Sequence, residues 1–278
     1  MQTEFSLYFF YSYLLVTQFN CEMKISIIQY DIAWENKPAN FSKLENLIAG
    51  GATGADIIVL PEMFNTGFSV EPGKISEPPH SVTFNWMKTM ADSTNAAICG
   101  SYIVKERNKF YNRWVFVAPG HETFLYDKRH LFSIGGEDKA FTPGKKRIVF
   151  SYKGVRICPT VCYDLRFPVW SRNRNDYDLL INSANWPVAR NAVWMTLLKA
   201  RAIENQCFVA AANRIGTDGT GLNYFGDSVL IDPRGNIIST PVNDKECAAS
   251  GEISLDELTD FRKKFPILRD ADLFSIRT

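Results

Sequence analysis

Hydrophobic positions along the chain follow two periods in turn, one typical of strands and one typical of helices. Runs of apolar and β-branched residues predict strands at 23–30, 55–60, 97–104, 111–118, 124–126, 155–161, 177–182 and 207–212. Helices are predicted where apolar residues recur three or four positions apart, as in Phe41/Leu44/Leu47/Ile48, Phe84/Met87/Met90/Ala91 and the face Val193/Leu197/Ala200/Glu204. The alternation of the two patterns indicates a layered α/β fold.

Short turns between some of the strands indicate that the sheets are mixed. Arg107-Asn108 separates two strand patterns by two residues, which predicts a hairpin, and Asp232-Pro-Arg-Gly235 predicts a second turn between strands. Hairpins join antiparallel neighbours, whereas helical crossovers join parallel ones. The number of strands suits two stacked sheets better than one, and no linker or internal repeat divides the chain. We therefore predict a single domain over residues 23–278.

Residues 1–22 differ from the rest of the chain. The apolar run at 5–16 has no Lys or Arg before it and no small-residue cleavage site after it, so it makes a poor signal peptide. As a helix it is too short to span a bilayer. Because the first clear strand begins at Met23, we predict that residues 1–22 are an upstream extension or a poorly ordered tail. An interfacial anchor is the alternative.

Composition and charge argue against several classes of function. The 278 residues carry a formal net charge of +1, and neither half is strongly basic, so no nucleic-acid partner is expected. No membrane partner is expected either. Six cysteines at irregular spacing do not resemble a disulfide framework, which fits a reducing compartment such as the cytoplasm. No His/Cys cluster has metal-ligand spacing, so the sequence predicts no metal and no other cofactor.

Cys162 lies between the strand at 155–161 and a helix expected to start near Pro168. A thiol in that position is close to unpaired backbone N–H groups. These donors can lower the pKa of the thiol and can bind a developing oxyanion. A buried, inert cysteine is the simpler alternative. The choice between the two depends on which other residues lie near Cys162.

Two further strands are followed by residues able to do chemistry. Glu62 follows the strand at 55–60, and Lys128 follows the strand at 124–126. Functional groups gather at the carboxyl ends of strands in α/β proteins, so we expect both residues to converge with Cys162. Cysteine would supply the nucleophile, a carboxylate its base, and lysine the charge that stabilises a tetrahedral intermediate. None of the three histidines follows a clear strand end, so the base would be Glu62.

Three segments resemble the signature segments of the nitrilase superfamily of carbon–nitrogen hydrolases. In chain order they are Pro-Glu62-Met-Phe, Tyr-Asp-Lys128-Arg-His-Leu-Phe and Cys162-Tyr-Asp-Leu-Arg-Phe-Pro. Each segment alone is weak, but the three in family order are highly specific, and the resemblance extends from about Met23 to the end. The segments 179–187, 200–206, 213–219 and 265–274 further resemble the omega-amidase branch, so the C-terminus is expected to be complete.

The resemblance implies a role for each of the matching residues. Glu62 would be the general base, Lys128 the stabiliser of the oxyanion, and Cys162 the nucleophile. Glu137 matches a second glutamate of the family and would orient Lys128 or assist proton transfer. The fold implied is a four-layer α-β-β-α sandwich, in which two mixed sheets are flanked by helices. Members usually pair into a homodimer with sheets at its centre.

The resemblance also implies a substrate class. The omega-amidase branch suggests hydrolysis, by water and through a cysteine thioester, of the terminal amide of a 2-oxo acid monoamide such as 2-oxoglutaramate or 2-oxosuccinamate. An N-carbamoyl amide hydrolase or another amidase of the superfamily is the nearest alternative. Outside that class, the chain could be a catalytically silent binding scaffold or a thiol redox sensor built on Cys162. A sensor would need a resolving cysteine, for which Cys158 on the same strand is poorly oriented.

Five residues are candidates for binding the substrate. The backbone N–H of Tyr163 would share the oxyanion with the lysine. Arg166 could bind a substrate carboxylate through a bidentate pair, or it could form a structural salt bridge. Trp186, Phe64 and Phe68 could line the pocket, although aromatic residues also belong to cores.

Overall fold

The computed structural model describes residues 22–240 and 244–276. The strands are β1 (Glu22–Gln29), β2 (Ile57–Val59), β3 (Ala97–Glu106), β4 (Lys109–Val117), β5 (Phe124–Asp127), β6 (Phe150–Tyr152), β7 (Val155–Val161), β8 (Leu179–Ser183), β9 (Phe208–Ala212), β10 (Ile215–Thr217), β11 (Asn223–Phe225), β12 (Val229–Ile231) and β13 (Cys247–Ser254). The α-helices are α1 (Lys37–Gly51), α2 (Pro72–Ile75), α3 (Val82–Thr94), α4 (Glu137–Ala140), α5 (Pro168–Ser171), α6 (Asn191–Asn205) and α7 (Leu255–Lys264). Single 3₁₀ turns lie at Ser133–Gly135, Cys162–Arg166, Val188–Arg190 and Ile267–Asp270.

The strands form two large sheets and one small one. The first sheet has the order β13-β1-β2-β3-β4-β5, the second has the order β12-β9-β8-β7-β6, and β10 pairs with β11. Strands β1, β2 and β3 pair in parallel in the first sheet, as do β7, β8 and β9 in the second. The remaining pairs of both sheets are antiparallel, so both sheets are mixed as predicted. Arg107 and Asn108 have φ values of 48° and 58°, which two-residue type I′ hairpin turns require.

The hydrophobic residues divide into layers. One cluster fills the space between the two sheets, with Ile27 and Trp114 from the first sheet facing Ile157 and Ile181 from the second. A second cluster joins the outer face of the first sheet to α1 and α3, and a third joins the outer face of the second sheet to α6. The predicted α-β-β-α sandwich is confirmed.

The buried face of α6 is not the one that the sequence pattern indicated. Val193 is 36% exposed, and the helix instead buries Trp194, Leu198, Arg201, Ala202 and Asn205. Arg201 can be buried because its guanidinium donates to the carbonyl oxygen of Leu165 and, at 2.8 Å, to Glu204 Oε1.

Hydrogen bonds join the two sheets where β2 and β8 end. Ser183 Oγ donates to the carbonyl oxygen of Leu60 at 2.7 Å, and the backbone N–H of Glu62 donates to the carbonyl oxygen of Ala184 at 3.4 Å. These bonds hold the carboxyl ends of two strands from different sheets side by side. Residues that follow either strand therefore face the same space.

The predicted extension at residues 1–22 lies outside the described residues, apart from Glu22, which begins β1. The single-domain boundary at 23–278 stays a prediction. None of the helices within 22–240 and 244–276 combines the length and the apolar character needed to cross a bilayer.

Gly100 on β3 provides a test of how closely the end of β2 is packed. A Cβ at this position would lie 2.8 Å from Leu60 Cβ and 3.1 Å from Phe64 Cδ1. We expect Gly100→Ala to lower the free energy of unfolding by about 1–3 kcal/mol, because the added methyl overpacks this contact. Urea-induced unfolding followed by circular dichroism measures the change.

Gly50→Ala is the matched control. Gly50 lies in α1, and nothing lies within 4 Å of a Cβ added there. Alanine is favoured over glycine inside a helix, so this variant should be at least as stable as the wild type. Equal stabilities of Gly100→Ala and Gly50→Ala would contradict the close packing of β2 against β3.

Candidate active site

Glu62, Lys128 and Cys162 lie together at one end of the sandwich, just beyond β2, β5 and β7. Lys128 Nζ is 2.8 Å from Glu62 Oε1. Asn185, which follows β8, connects Glu62 with Cys162. Its backbone N–H donates to Glu62 Oε2 at 3.0 Å, and its carbonyl oxygen accepts from Cys162 Sγ at 3.7 Å. The three residues expected to converge from the sequence are therefore within contact of one another or of one shared neighbour.

Lys128 is bound by two carboxylates. Its Nζ lies 2.8 Å from Glu137 Oε2 and 3.1 Å from Glu137 Oε1, in addition to the contact with Glu62. The side chains of all three residues are fully buried. Burial disfavours the charged form of Lys128, but the carboxylates of Glu137 and Glu62 outweigh it and raise the pKa of the lysine well above its usual range. The lysine therefore stays cationic.

Glu137 is the first residue of α4 and is held in place by a backbone contact as well as by Lys128. Its Oε2 accepts from the backbone N–H of Phe132 at 2.6 Å. Burial raises the pKa of Glu137, and the negative charge of Glu62 adds to this effect, while Lys128 opposes it. Glu137 thus balances the lysine charge at a place where water does not reach.

Cys162 occupies a sharp turn between β7 and the 3₁₀ turn that follows. Its φ of 44° lies in the left-handed region, which costs a non-glycine residue about 1 kcal/mol or more. Asp164 holds this turn, because its carboxylate accepts from the backbone N–H of Val161 at 3.0 Å. The same carboxylate accepts from Tyr126 O–H at 2.7 Å and from His130 N–H at 2.9 Å, which ties the turn to the Lys128 segment.

The pKa of the Cys162 thiol is raised, not lowered. Desolvation raises this pKa well above the ordinary value and the negative charge of Glu62 raises it further, while Lys128 and the Asn185 contact only partly compensate. The expectation that nearby N–H donors lower the pKa is therefore wrong at this site. Cys162 is a neutral thiol at rest and needs a base before it can act as a nucleophile.

A cavity of about 490 Å³ opens onto these residues. Lys128 and Cys162 reach it from the sandwich, and four of the candidate substrate-binding residues line it, namely Phe68, Tyr163, Arg166 and Trp186. The Phe68 ring centre lies 5.4 Å from Lys128 Nζ. Residues without a prior prediction that also line it include Trp34, Phe132, Asn185, Arg190, Asp218 and Tyr224.

Two guanidinium groups on the cavity wall have aromatic rather than acidic partners. Arg166 Cζ lies 5.0 Å from the Trp186 ring centre, and Arg190 Cζ lies 5.4 Å from the Phe132 ring centre. Neither arginine pairs with a carboxylate among the described residues. The structural salt bridge considered for Arg166 is thus absent from this part of the chain, and its charge faces the cavity.

Phe64 does not line the cavity. It is fully buried in the layer between the first sheet and α3, where its ring centre lies 5.7 Å from that of Trp86 and 6.4 Å from that of Tyr102. The chain reverses at Met63, which has a φ of 43°, and directs Phe64 back into the core. The prediction of Phe64 as a substrate-binding residue is withdrawn for this reason.

Asn112 is a further residue of the site that sequence reasoning missed. It lies on β4 and its Nδ2 donates to both Glu62 Oε1 and Glu137 Oε1, at 2.8 and 3.0 Å. The sequence nevertheless indicates its importance, because Asn112 shares a strand face with Trp114 and Phe116, which fill the space between the sheets. A polar residue on such a face needs a buried partner.

The described residues contain neither a disulfide nor a cluster of metal ligands. The five cysteines among the described residues form no disulfide, and Cys158 is buried within β7. Within the same residues, no group of three His, Cys, Asp or Glu side chains is arranged to hold a metal ion.

The sandwich and its thiol, lysine and carboxylate cluster define a hydrolase of carbon–nitrogen bonds. A sequence model of the carbon-nitrogen hydrolase family matches residues 24–263, and the chain belongs to this family. It acts on bonds other than peptide bonds. Omega-amidase YafV of Escherichia coli (strain K12) is 44% identical over 254 residues, which cover 91% of this chain and 98% of the relative.

Two further comparisons agree. The 2-oxoglutaramate amidase of Bacillus subtilis (strain 168) is 32% identical over 88% of this chain and 96% of the relative. The structure of XC1258 from Xanthomonas campestris, a CN-hydrolase superfamily protein with an arsenic adduct in its active site, superposes with a TM-score of 0.89. It is 39% identical and covers 92% of this chain and 99% of that protein. The predicted nitrilase superfamily and omega-amidase branch are confirmed.

Removal of the lysine charge tests the electrostatics of the cluster. In Lys128→Met, two buried carboxylates lose their cation, so we expect the free energy of unfolding to fall by about 3–5 kcal/mol at neutral pH. The folded protein should then bind more protons than the unfolded chain, because the raised pKa of Glu137 rises further. Stability should therefore increase as the pH is lowered from about 8 to 5. Urea unfolding at several pH values measures both effects.

Lys139→Met is the control for loss of a lysine, since Lys139 is exposed in α4. The double variant Lys128→Met/Glu137→Gln removes one of the two uncompensated charges. It should be more stable than Lys128→Met and less dependent on pH. If Lys128→Met unfolded with the same free energy and pH slope as Lys139→Met, the buried ion cluster would be refuted.

Proposed function

We propose that this protein hydrolyses the terminal amide of a 2-oxo acid monoamide, of the 2-oxoglutaramate or 2-oxosuccinamate type, to the 2-oxo acid and ammonia. The observation that carries the proposal is the cavity, which is lined by Cys162, Lys128 and Arg166, an arginine without an acidic partner among the described residues. Such a cavity suits a small amide that also carries a carboxylate. The names of the similar omega-amidase and 2-oxoglutaramate amidase support the same class.

The first half of the reaction forms a thioester. Glu62 takes the proton of Cys162 Sγ, and the thiolate attacks the amide carbonyl carbon. The negative charge that develops on the carbonyl oxygen is stabilised by Lys128 and by the backbone N–H of Tyr163. The carbon–nitrogen bond then breaks, and the leaving amide nitrogen takes the proton from Glu62 and departs as ammonia.

The second half returns the enzyme to its starting state. Glu62 takes a proton from water, and the resulting hydroxide attacks the thioester carbonyl. The carbon–sulfur bond breaks, the sulfur recovers its proton from Glu62, and the acid product releases its own proton to solvent as it leaves as a carboxylate. Glu137 keeps Lys128 in place through both halves, because it binds the same ammonium group.

Recognition of the substrate is assigned to the cavity wall. The Arg166 guanidinium binds the carboxylate of the 2-oxo acid, as a planar fork suited to bidentate pairing. Phe68 and Trp186 contact the short carbon chain between the carboxylate and the amide. Arg190, on the same wall, adds a second positive charge.

Two broader features are also proposed. The family resemblance supports a homodimer, which sedimentation equilibrium tests directly. The unpaired cysteines among the described residues and a thiol nucleophile support a reducing location such as the cytoplasm.

Ammonia release from a panel of compounds tests the activity. The panel contains 2-oxo acid monoamides, simple amides, N-carbamoyl amino acids and nitriles, each with the wild type and with Cys162→Ala. We expect release from the 2-oxo acid monoamides only, lost in Cys162→Ala because no nucleophile remains. Release from N-carbamoyl compounds instead would replace the proposed substrate class. Silence throughout, with peroxide-sensitive oxidation of Cys162, would favour the sensor alternative.

Arg166→Met tests the carboxylate site. Loss of a hydrogen-bonded charge contact of about 1.5–3 kcal/mol corresponds to a drop in kcat/KM of about 10- to 100-fold on a 2-oxo acid monoamide. Because the contact is present in both the bound substrate and the transition state, the drop should appear mainly in KM.

The control for this variant is Arg190→Met, which removes the other arginine of the same cavity wall. A loss in Arg190→Met as large as or larger than that in Arg166→Met would move the carboxylate site away from Arg166.

A further inference from the structure

Asn112 is a buried residue that touches both carboxylates of the cluster. Only 1% of its surface is exposed. Its Nδ2 lies 2.8 Å from Glu62 Oε1 and 3.0 Å from Glu137 Oε1, so both hydrogens of the amide are in use. Ionised carboxylates only accept hydrogen bonds, which means that the nitrogen of the amide must face them. In addition, the backbone carbonyl oxygen of Asn112 accepts from the backbone N–H of Lys128 at 3.0 Å.

The hydrogen bonds to Glu62 leave its two oxygens in different states. Oε1 accepts from Asn112 Nδ2 and from Lys128 Nζ, both at 2.8 Å, and these two donors fill its lone pairs. Oε2 accepts only from the backbone N–H of Asn185, at 3.0 Å, among the described residues. Asn185 is also the residue whose carbonyl oxygen contacts Cys162 Sγ. The unused lone pair of Glu62 is therefore on the oxygen that shares a neighbour with the thiol.

We propose that Asn112 is a positioning residue that holds Glu62 Oε1 and so leaves Oε2 as the atom that takes the proton from Cys162. The inference rests on the proposed role of Glu62 as base and assigns that role to one oxygen. It also explains how two carboxylates approach the same lysine: a neutral donor stabilises both without adding a second cation. A further cation would make Glu62 a weaker base.

Charged groups surround Glu137 and the thiol. Among the described residues, Lys128 and Glu62 act on Glu137, the same two residues act on Cys162, and Tyr224 is coupled to the thiol in turn. The hydrogen bond from Asn112 lowers the pKa of Glu137, so loss of this donor should raise that pKa.

The test measures the reactivity of Cys162 without depending on any amide substrate. The rate at which iodoacetamide alkylates Cys162 is followed by mass spectrometry from pH 5 to 9 in the wild type, Asn112→Leu and Asn112→Asp, with Cys162→Ala as background. We expect Asn112→Leu to move the acidic limb of the profile up by about one pH unit. At neutral pH, misplacement of the base should slow alkylation about 10- to 100-fold. Asn112→Asp keeps the shape of the side chain and introduces a third carboxyl group. It should move the acidic limb of the alkylation profile up by at least as much as Asn112→Leu.

Asn173→Leu is the matched control. Asn173 is also fully buried, and its Nδ2 donates to the carbonyl oxygens of Tyr177 and Asn205, both at 2.9 Å, away from the cluster. It should lose stability on urea unfolding, as Asn112→Leu does, but keep the wild-type pH profile. If the profiles of Asn112→Leu and Asn112→Asp matched that of Asn173→Leu, the inference would be overturned, and Asn112 would have a structural role alone.

Turnover provides the second measurement. On the best substrate of the panel, Asn112→Leu should lower kcat by a similar factor with KM nearly unchanged, since Asn112 does not line the cavity. A shifted alkylation profile in a protein that hydrolyses no member of the panel would retain the inference and reject the proposed substrate class. An unshifted alkylation profile in a protein that hydrolyses 2-oxo acid monoamides would retain the proposed substrate class and reject the inference on Asn112.

Discussion

The site depends on one constraint, which is that the ammonium of Lys128 is buried and must be neutralised by carboxylates that are buried with it. A charge removed from water is tolerated only when it is paired and hydrogen-bonded. Glu62 and Glu137 supply the pairing, and the surplus negative charge requires a further donor, which is Asn112. Each of these residues comes from a different segment, so the charge balance fixes how those segments pack.

That packing also sets the pKa of Cys162. Burial raises the pKa of the thiol and the negative charge of Glu62 raises it further, so in the proposed mechanism the thiol depends on Glu62 to remove its proton. The backbone of Asn185 contacts both Glu62 and Cys162 and so fixes their relative positions. These contacts lie at the strand ends, while the residues that line the cavity are drawn largely from loops.

Expectations drawn from the sequence succeeded where they rested on local pattern and strand ends. Mixed sheets follow from the mixture of crossovers and short turns, and the meeting of Glu62 with Lys128 follows from the common edge of the strands that precede them. The expectations were wrong where a reversal of the chain, or a hydrogen-bond partner far along the sequence, determines which side chain is buried. Phe64 returns to the core because the chain turns at Met63, and Arg201 of α6 is buried because Leu165 accepts from it.

By itself the sequence determined the order of helices and strands and the three residues at the strand ends, because periodicity and strand ends are properties of neighbouring residues. The family and the four-layer sandwich followed from the resemblance of three short segments to the nitrilase superfamily. Only the tertiary structure decided the direction of the Cys162 pKa shift, the contacts of Asn112 with both carboxylates and the lack of an acidic partner for Arg166 among the described residues. Each of these depends on residues far apart in the chain, such as Asn112 and Glu62, separated by fifty positions. Burial and hydrogen bonding between them are set only when the two sheets stack.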